Sequence, residues 1–256
     1  MADRDTTIWL FGAIHALPPG VAWQTPVVAQ AMAASDTLIL EVPPADDSDA
    51  RVQFLALAQA PGLPPLLDRV APGDRGTVQR GMAVAGQSPA TLDGLKTWAA
   101  ALTITAGAGH LEDADAANGV ETALTRAFAG KAIGALEDRA GQLRLFDRLP
   151  AESQRVLLVQ AARDVLAAQG GYAVLLNAWV TGDEAGLAAD IAPLRRDPAI
   201  GAVLIDQRNA RWASAIVRRM ARPGRMFVAV GAGHLVGPGS VVALLRARGV
   251  TVERVE

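Results

Sequence analysis

The chain contains no cysteine and few aromatic residues, and these two absences narrow the kinds of site it can hold. Among its 256 residues there is no Cys, and Phe, Trp and Tyr together make up 4%. Disulfides, thiolate metal sites and cysteine nucleophiles are therefore excluded. With a single Tyr and so few rings, an aromatic surface on which nucleic-acid bases could stack is not expected.

Strong charge of one sign and long apolar runs are also missing. The 24 basic and 26 acidic residues leave a net charge of -2 without a block of Lys and Arg, so we expect no nucleic-acid partner. Apolar runs stay below the roughly 18 residues that a transmembrane helix needs, so no membrane span is expected. Apolar residues nevertheless make up 51% of the chain, too many for a disordered protein.

The N-terminus is typical of a first strand and not of a targeting segment. Its opening letters, MADRDTTIWLF, lack the basic region followed by an apolar region that marks a secretory signal peptide. Two locations stay open at this stage. The protein is periplasmic or secreted if a signal peptide has been removed ahead of Met1, and cytoplasmic if Met1 is the native start.

Short apolar runs that alternate with helical patterns predict an α/β fold. Ile8–Phe11 and Thr37–Leu40 are expected strands, because each is a short apolar run that ends at a small or charged residue. Between them, Thr25-Pro26 is typical of an N-cap followed by a proline in the first helical turn. A strand, a helix and a strand within about 35 residues indicate a βαβ unit with parallel strands.

The rest of the chain extends this pattern. A helical insertion broken by prolines is expected from about residue 46 to 129, and a helix that begins near residue 150 is expected to give way to a second helix at 172–180. Three further strands are expected at 131–136, 225–230 and, as an alternating edge strand, 250–255. We therefore predict a single domain with a central mixed, partly parallel sheet flanked by helices.

All three histidines of the chain end a Gly-x-x-His tetrapeptide. They are His15, His110 and His234. His15 and His234 directly follow predicted strands, and ligand sites of open α/β sheets lie at the carboxyl ends of strands. His110 follows a helical pattern instead, which favours a loop histidine at the end of a helix.

Two acids and an arginine add to this set. Glu41 and Glu137 also follow predicted strands, and two imidazoles with one carboxylate can bind a catalytic divalent ion with a position left for water. Arg208, with Asn209 at an expected helix start, can hold a carboxylate or stabilise an oxyanion. The plainer alternatives remain open: histidines that bond the backbone in turns, solvated loop acids and a surface arginine.

Several segments, in their order along the chain, resemble the TraB/GumN family. They are LFGAIHALPPG, TLILEVP, GALED with Gln142 close behind, DQRN and VAVGAGHLVGPGSVVALLRARGVTVERV, of which the last is the most specific. This family is related to the Tiki proteases and more distantly to erythromycin esterases and ChaN-like proteins. The resemblance covers nearly the whole chain and implies an α/β fold with a central sheet and helical insertions.

The resemblance also implies a metal-dependent hydrolase site and, as its function, a metalloprotease or peptidase acting on a peptide or small-molecule substrate. His110 matches no motif of the family. Glu121, in Asn118-Gly119-Val120-Glu121, stands where the family usually has an aspartate in a Gly-x-Asp motif. The positions that match family motifs are His15, Glu41, Glu137, Arg208, Asn209 and His234.

In this hypothesis His15 and His234 bind one divalent ion. Glu41 is a third ligand or the general base, and Glu137 transfers a proton or supports a ligand. The resemblance to Tiki implies Mn²⁺ or Co²⁺, and a set of imidazoles and carboxylates does not exclude Zn²⁺.

Arg208 then faces the developing oxyanion, and Asn209 fixes the loop or the substrate. An alternative hypothesis is a non-catalytic protein that holds a metal, haem or a small ligand in the same pocket. A homodimer also stays open, because the expected edge strand at 250–255 could pair with a second copy.

Overall fold

The computed structural model describes residues 1, 5–111 and 113–255, and within them the side chains of 47, 108–111 and 168–170 are not described. The strands are β1 (Thr6–Ala13), β2 (Thr37–Leu40), β3 (Ala132–Ala135) and β4 (Gly224–Gly231). The α-helices are α1 (Pro26–Ala34), α2 (Asp47–Ala58), α3 (Arg75–Val84), α4 (Pro89–Leu92), α5 (Thr97–Leu111), α6 (Val120–Ala127), α7 (Arg139–Asp147), α8 (Ala151–Val180), α9 (Glu184–Ile191), α10 (Pro198–Ile200), α11 (Gln207–Met220) and α12 (Val241–Arg246).

The strands form one sheet in the order β1-β4-β2-β3, and all three described pairs are parallel. The predicted α/β fold, a sheet flanked by helices, is confirmed. We expected a mixed, partly parallel sheet, whereas all described strand pairs are parallel. Every connection between its strands contains helices, and such crossovers join parallel strands.

The edge strand expected at 250–255 is not formed in the part of the chain that the structure describes. Arg246 holds this segment by donating from Nη2 to the carbonyl of Val252 at 2.8 Å. The free edge of β1 is already bonded to Met1: the N–H of Ile8 donates to its carbonyl at 2.8 Å, and its amino group donates to the carbonyl of Ile8 at 3.0 Å. An alternating pattern alone does not show whether an edge is available.

Between β2 and β3 the chain is helical, as the sequence predicted, and much of this region shares an apolar core with α8 and the segment at 200–205. Trp98 is fully buried there, and its Nε1 donates to Oδ1 of Asp147 at 2.9 Å. Lys96 donates to the same oxygen at 2.8 Å. Helices α3 and α8 approach so closely that a Cβ on Gly81 would lie 2.7 Å from Cα of Ala162.

Helix α8 joins this helical region to the sheet. It is continuous from residue 151 to 180, whereas two helices were predicted with a break before Tyr172. At about 1.5 Å per residue it is roughly 45 Å long, and it continues through the glycine pair at 170–171 despite the low helix propensity of glycine. Directly after the pair, the hydroxyl of Tyr172 donates to the carbonyl of Ala16 at 2.6 Å. Near its end Trp179 donates from Nε1 to the carbonyl of Gly12 at 2.7 Å. Among the described helices, none has the length and apolarity to cross a bilayer.

The segment between α9 and β4 positions Arg208 and Asn209. Asp197 caps α10 by accepting from the backbone N–H groups of Ala199 and Ile200 at 2.9 and 3.1 Å. A π-helical turn then runs over Gly201–Asp206 and leads directly into α11. A π-turn holds one residue more than an α-turn, so it sets which face of α11 meets the sheet.

Candidate functional site

Four of the predicted residues follow the four strands at one edge of the sheet. His15, Glu41, Glu137 and His234 come after β1, β2, β3 and β4 respectively. Backbone pairing continues past the ends of β2 and β3, where the N–H of Glu137 donates to the carbonyl of Glu41 at 3.0 Å. The two glutamates therefore lie side by side.

Arg208, in the first turn of α11, joins three of these residues. Its Nε donates to Oε1 of Glu137 at 2.9 Å, its Nη2 donates to Oε1 of Glu41, and its Nη1 lies 3.1 Å from Nε2 of His234. Nη1 also donates to the carbonyl of Leu204 in the π-turn at 3.1 Å. The side chain is 7% exposed, so these charge-assisted hydrogen bonds form away from water.

Trp212, one turn further along α11, packs against two members of this group. Its ring centroid lies 4.6 Å from Cζ of Arg208 and 4.6 Å from the ring centroid of His234. A guanidinium over an indole is a favourable cation–π contact, and more so when both groups are buried. Trp212 thus fixes the positions of Arg208 and His234 from the side of the helix.

Glu41 is buried and ionised. Burial alone would raise its pKa, but the positive charges of Arg208 and His15 outweigh this effect and hold the pKa of Glu41 below its ordinary value. Oε1 accepts from Arg208 and from the side-chain amide of Gln142, whereas Oε2 accepts from the backbone N–H of Gly231 at 3.3 Å. In the sequence, Gln142 is distinguished only by its position close behind the GALED segment.

His234 is held in one tautomer. Its Nδ1 lies 2.7 Å from Oδ1 of Asn209, whose Nδ2 donates to the carbonyl of Gly239 at 2.9 Å. Because Oδ1 of an amide only accepts, Nδ1 carries the proton and Nε2 accepts from Arg208. Burial lowers the pKa of His234 to about 4, so its ring is neutral at pH 7.

His15 forms a separate pair with Glu121 at the same edge of the sheet. Its Nδ1 lies 2.5 Å from Oε1 of Glu121, and its side chain is 69% exposed. The N–H of Val120 donates to the carbonyl of Ile14 at 3.1 Å, which brings the first turn of α6 against the end of β1. The close ion pair with Glu121 raises the pKa of His15 to about 9, so its ring is charged at neutral pH.

Glu121→Gln should lower the pKa of His15 from about 9 towards 6.5, because the variant lacks the carboxylate that favours the charged ring. In the wild type this pair stabilises the fold fully below pH 6.5, and that contribution is lost as the pH rises through about 9. NMR titration of the imidazole resonances in chelator-treated protein measures both values. A pKa near 9 in the variant would contradict the pairing.

The predicted residues thus fall into two groups. Glu41, Glu137, Arg208, Asn209 and His234 form one hydrogen-bonded network, which we call the Arg208 network. His15 is instead paired with Glu121. The sequence distinguished Glu121 only because it stands where the family usually has the aspartate of a Gly-x-Asp motif. The backbone of His110 lies in α5, and its side chain is outside the described part of the chain.

The donor set fits a divalent cation in its chemistry. Both His15 and His234 have Nδ1 held by a side-chain oxygen, which is how metal-binding histidines are oriented, and Glu41 is an ionised carboxylate. Within the described residues, however, no three His, Asp or Glu side chains are grouped around one point. Arg208 already bonds Oε1 of Glu41 and Nε2 of His234, so a cation would have to take over these contacts.

Comparison with known proteins supports the resemblance seen in the motifs. A family model described as the TraB/PrgY/gumN family matches residues 1–254, a range that contains the whole Arg208 network and the pair of His15 and Glu121. Neither the curated proteins nor the solved structures gave a match. A match over nearly the full length shows that the chain belongs to the TraB/PrgY/gumN family.

Proposed function

We propose that the chain is a metal-dependent hydrolase that acts on peptide bonds. The observation that carries this proposal is the Arg208 network, which places an ionised carboxylate, a buried guanidinium and an oriented imidazole at the carboxyl edge of one sheet. Hydrolysis of an acyl bond needs a group that takes a proton from water and a positive group at the developing oxyanion. Glu41 and Arg208 are candidates for these two roles.

The residues that would hold the cation are His15 and His234, with Glu41 as a third ligand if it is not the general base. When bound, such an ion lowers the pKa of a coordinated water and polarises the substrate carbonyl. Mn²⁺, Co²⁺ and Zn²⁺ all accept imidazole and carboxylate ligands, so each is a candidate. Glu121 and Asn209 would hold Nδ1 of the two rings and so make Nε2 the ligand atom, once the charged ring of His15 loses its Nε2 proton and Nε2 of His234 is released by Arg208.

Glu41, Glu137 and Arg208 would accept a proton or balance charge during the reaction. Oε2 of Glu41 accepts only the N–H of Gly231 among the described groups, at 3.3 Å, so it retains a lone pair for the proton of an attacking water. Glu137 accepts from Nε of Arg208 and so fixes the plane of the guanidinium. That guanidinium is the positive group available to a developing oxyanion.

The test compares wild-type protein with the double variant His15→Ala/His234→Ala, and uses His110→Ala as the matched histidine control. Each protein is stripped with a chelator, reloaded with Mn²⁺, Co²⁺ or Zn²⁺, analysed for bound metal and incubated with a peptide library. We expect about one ion per chain and cleaved peptides from the wild type and the control, and neither from the double variant. Circular dichroism confirms that all three proteins are folded.

The outcomes separate the parts of the proposal. A wild type that binds none of the three ions after reloading contradicts the metal site. Cleavage that is equal in the wild type and the double variant contradicts the roles of His15 and His234.

A non-catalytic protein that holds a metal, haem or a small ligand in the same pocket is the second candidate. One observation favours its haem or small-ligand form: Arg208 already bonds an oxygen of Glu41 and Nε2 of His234, both of which any metal ion in this pocket would need. Stoichiometric metal binding without cleavage of any library peptide would decide for this candidate.

A further inference from the structure

A cleft of about 810 Å³ runs along the side of β1 that no described strand borders. Helix α1, the end of α8, the turn after β4 and the C-terminal segment form its walls. Its apolar lining includes Trp9, Phe11, Trp23, Trp179, Leu235 and Val236. Among the described residues that line it, none belongs to the Arg208 network, so the cleft is a second feature of the molecule.

The backbone of β1 presents unused hydrogen-bonding groups to this cleft. Ile8 uses its outward N–H and C=O on Met1, and the carbonyl of Gly12 accepts from Trp179. Alternate residues of a strand direct these groups to the same side, so the N–H and C=O of Leu10 face the same free edge. Neither group of Leu10 has a partner in the described part of the chain.

A side-chain donor in the cleft wall is also unused. Nε1 of Trp9 is buried, and no hydrogen-bond acceptor lies within reach of it among the described residues. Trp9 itself lines the cleft. A buried N–H without a partner is unfavourable, and because this atom is closed to solvent, an acceptor could reach it only if the cleft wall rearranged.

We propose that this cleft binds an extended polypeptide segment, which pairs with β1 through the N–H and C=O of Leu10 and packs apolar side chains against the aromatic walls. Pairing of an extended peptide with the main chain of a sheet edge is a known mode of peptide recognition: main-chain bonds give affinity, and pockets for alternate side chains give specificity. Here the pairing is confined to Leu10, because Met1 and Trp179 already bond the edge groups of Ile8 and Gly12 on either side. A purely apolar ligand would leave the main-chain groups of Leu10 unpaired.

The cleft leads towards the candidate site. Gly12 and Ala232 line it, and they lie three and two residues before His15 and His234. At about 3.3 Å per residue, a segment paired at Leu10 spans the distance to His15 within roughly five residues. The inference rests on the proposed peptidase function and extends it, since it assigns where the main chain of the substrate is held.

The test measures binding of fluorescein-labelled casein, an unfolded polypeptide that offers many extended segments, to the chelator-treated full-length protein. Leu10→Pro removes the outward N–H and no bond between β1 and β4, and Leu10→Ala is its matched control because it loses the same side chain. We expect casein to bind the wild type and Leu10→Ala with similar affinity, and Leu10→Pro at least tenfold more weakly. Circular dichroism checks the fold of each variant.

Hydrogen exchange gives a second readout that needs no substitution. The amide of Leu10 should exchange more slowly when casein is bound, whereas the amides of Trp9 and Phe11, which face β4, should change little. Absence of casein binding, equal affinity of the two variants, or unchanged exchange at Leu10 would each overturn the inference. So would protection of Leu10 by palmitate but not by casein, or by dimerisation of the protein alone.

This inference and the proposed function can fail separately. If casein binds at Leu10 but is never cleaved after metal loading, the result supports polypeptide binding in the cleft and contradicts the hydrolase function. Cleavage that is unaffected by Leu10→Pro supports the hydrolase and contradicts the docking of substrate on β1.

Discussion

Arg208→Met should reduce the free energy of unfolding by about 3–5 kcal/mol, because it leaves buried carboxylates without a counter-charge. Glu41 and Glu137 are only 7% and 9% exposed, and both accept hydrogen bonds from this guanidinium. Methionine fills a similar volume but supplies neither charge nor donors. Urea unfolding followed by circular dichroism measures the difference.

Two further variants test whether the loss of stability comes from the unpaired buried carboxylates and not from the removal of any arginine. Arg225→Met removes an ion pair with Asp36 in which both side chains are more than half exposed, so the urea midpoint should hardly change. Adding Glu41→Gln to Arg208→Met should restore part of the stability, since one buried charge disappears. If Arg208→Met were as stable as Arg225→Met, the network would not hold the fold together.

Gly119→Ala should destabilise the protein by about 3 kcal/mol, at the upper end of the usual cost of overpacking. Gly119 has φ -62° and ψ 156°, which any residue can adopt, so the reason is purely steric. A Cβ at this position would lie 1.9 Å from the carbonyl oxygen of His15 and 2.7 Å from its carbonyl carbon. The start of α6 must then move away from the end of β1.

This movement should also separate Glu121 from His15. In Gly119→Ala, NMR titration should therefore give a pKa for His15 well below about 9. Gly73→Ala is the matched control, because a Cβ there would meet no atom within 4 Å. A Gly119→Ala protein with the stability of Gly73→Ala and an unchanged His15 would contradict the close approach.

The positions of the strands could be predicted because each is a short apolar run that ends at a residue of a different character. The same reasoning placed a strand at 250–255, where the structure has none in its described residues. A pattern reports the faces of a segment, but not whether a sheet edge is vacant, and here Met1 is bonded to that edge. The break predicted before Tyr172 was wrong because a pair of glycines lowers helix propensity but does not by itself end a helix.

The sequence indicated which residues lie at the candidate site. It did not indicate which of these residues contact one another. Parallel strands bring the residues that follow them to one edge, so the placement of His15, Glu41, Glu137 and His234 followed from strand order alone. The central position of Arg208 did not, because several other arginines share its helix and only the packing of α11 distinguishes them. The partner of His15 depends on how α6 meets β1, which no local pattern encodes.

The π-turn at Gly201–Asp206 makes the length of this segment as important as its composition. Loss of a single residue there would convert the turn to regular α-helix and rotate all that follows by about 100°. Arg208 and Trp212 would leave the sheet together, although both would still be present in the sequence. Relatives can therefore keep every residue of the site and still differ in whether the site is assembled, according to the number of residues between Pro198 and Arg208.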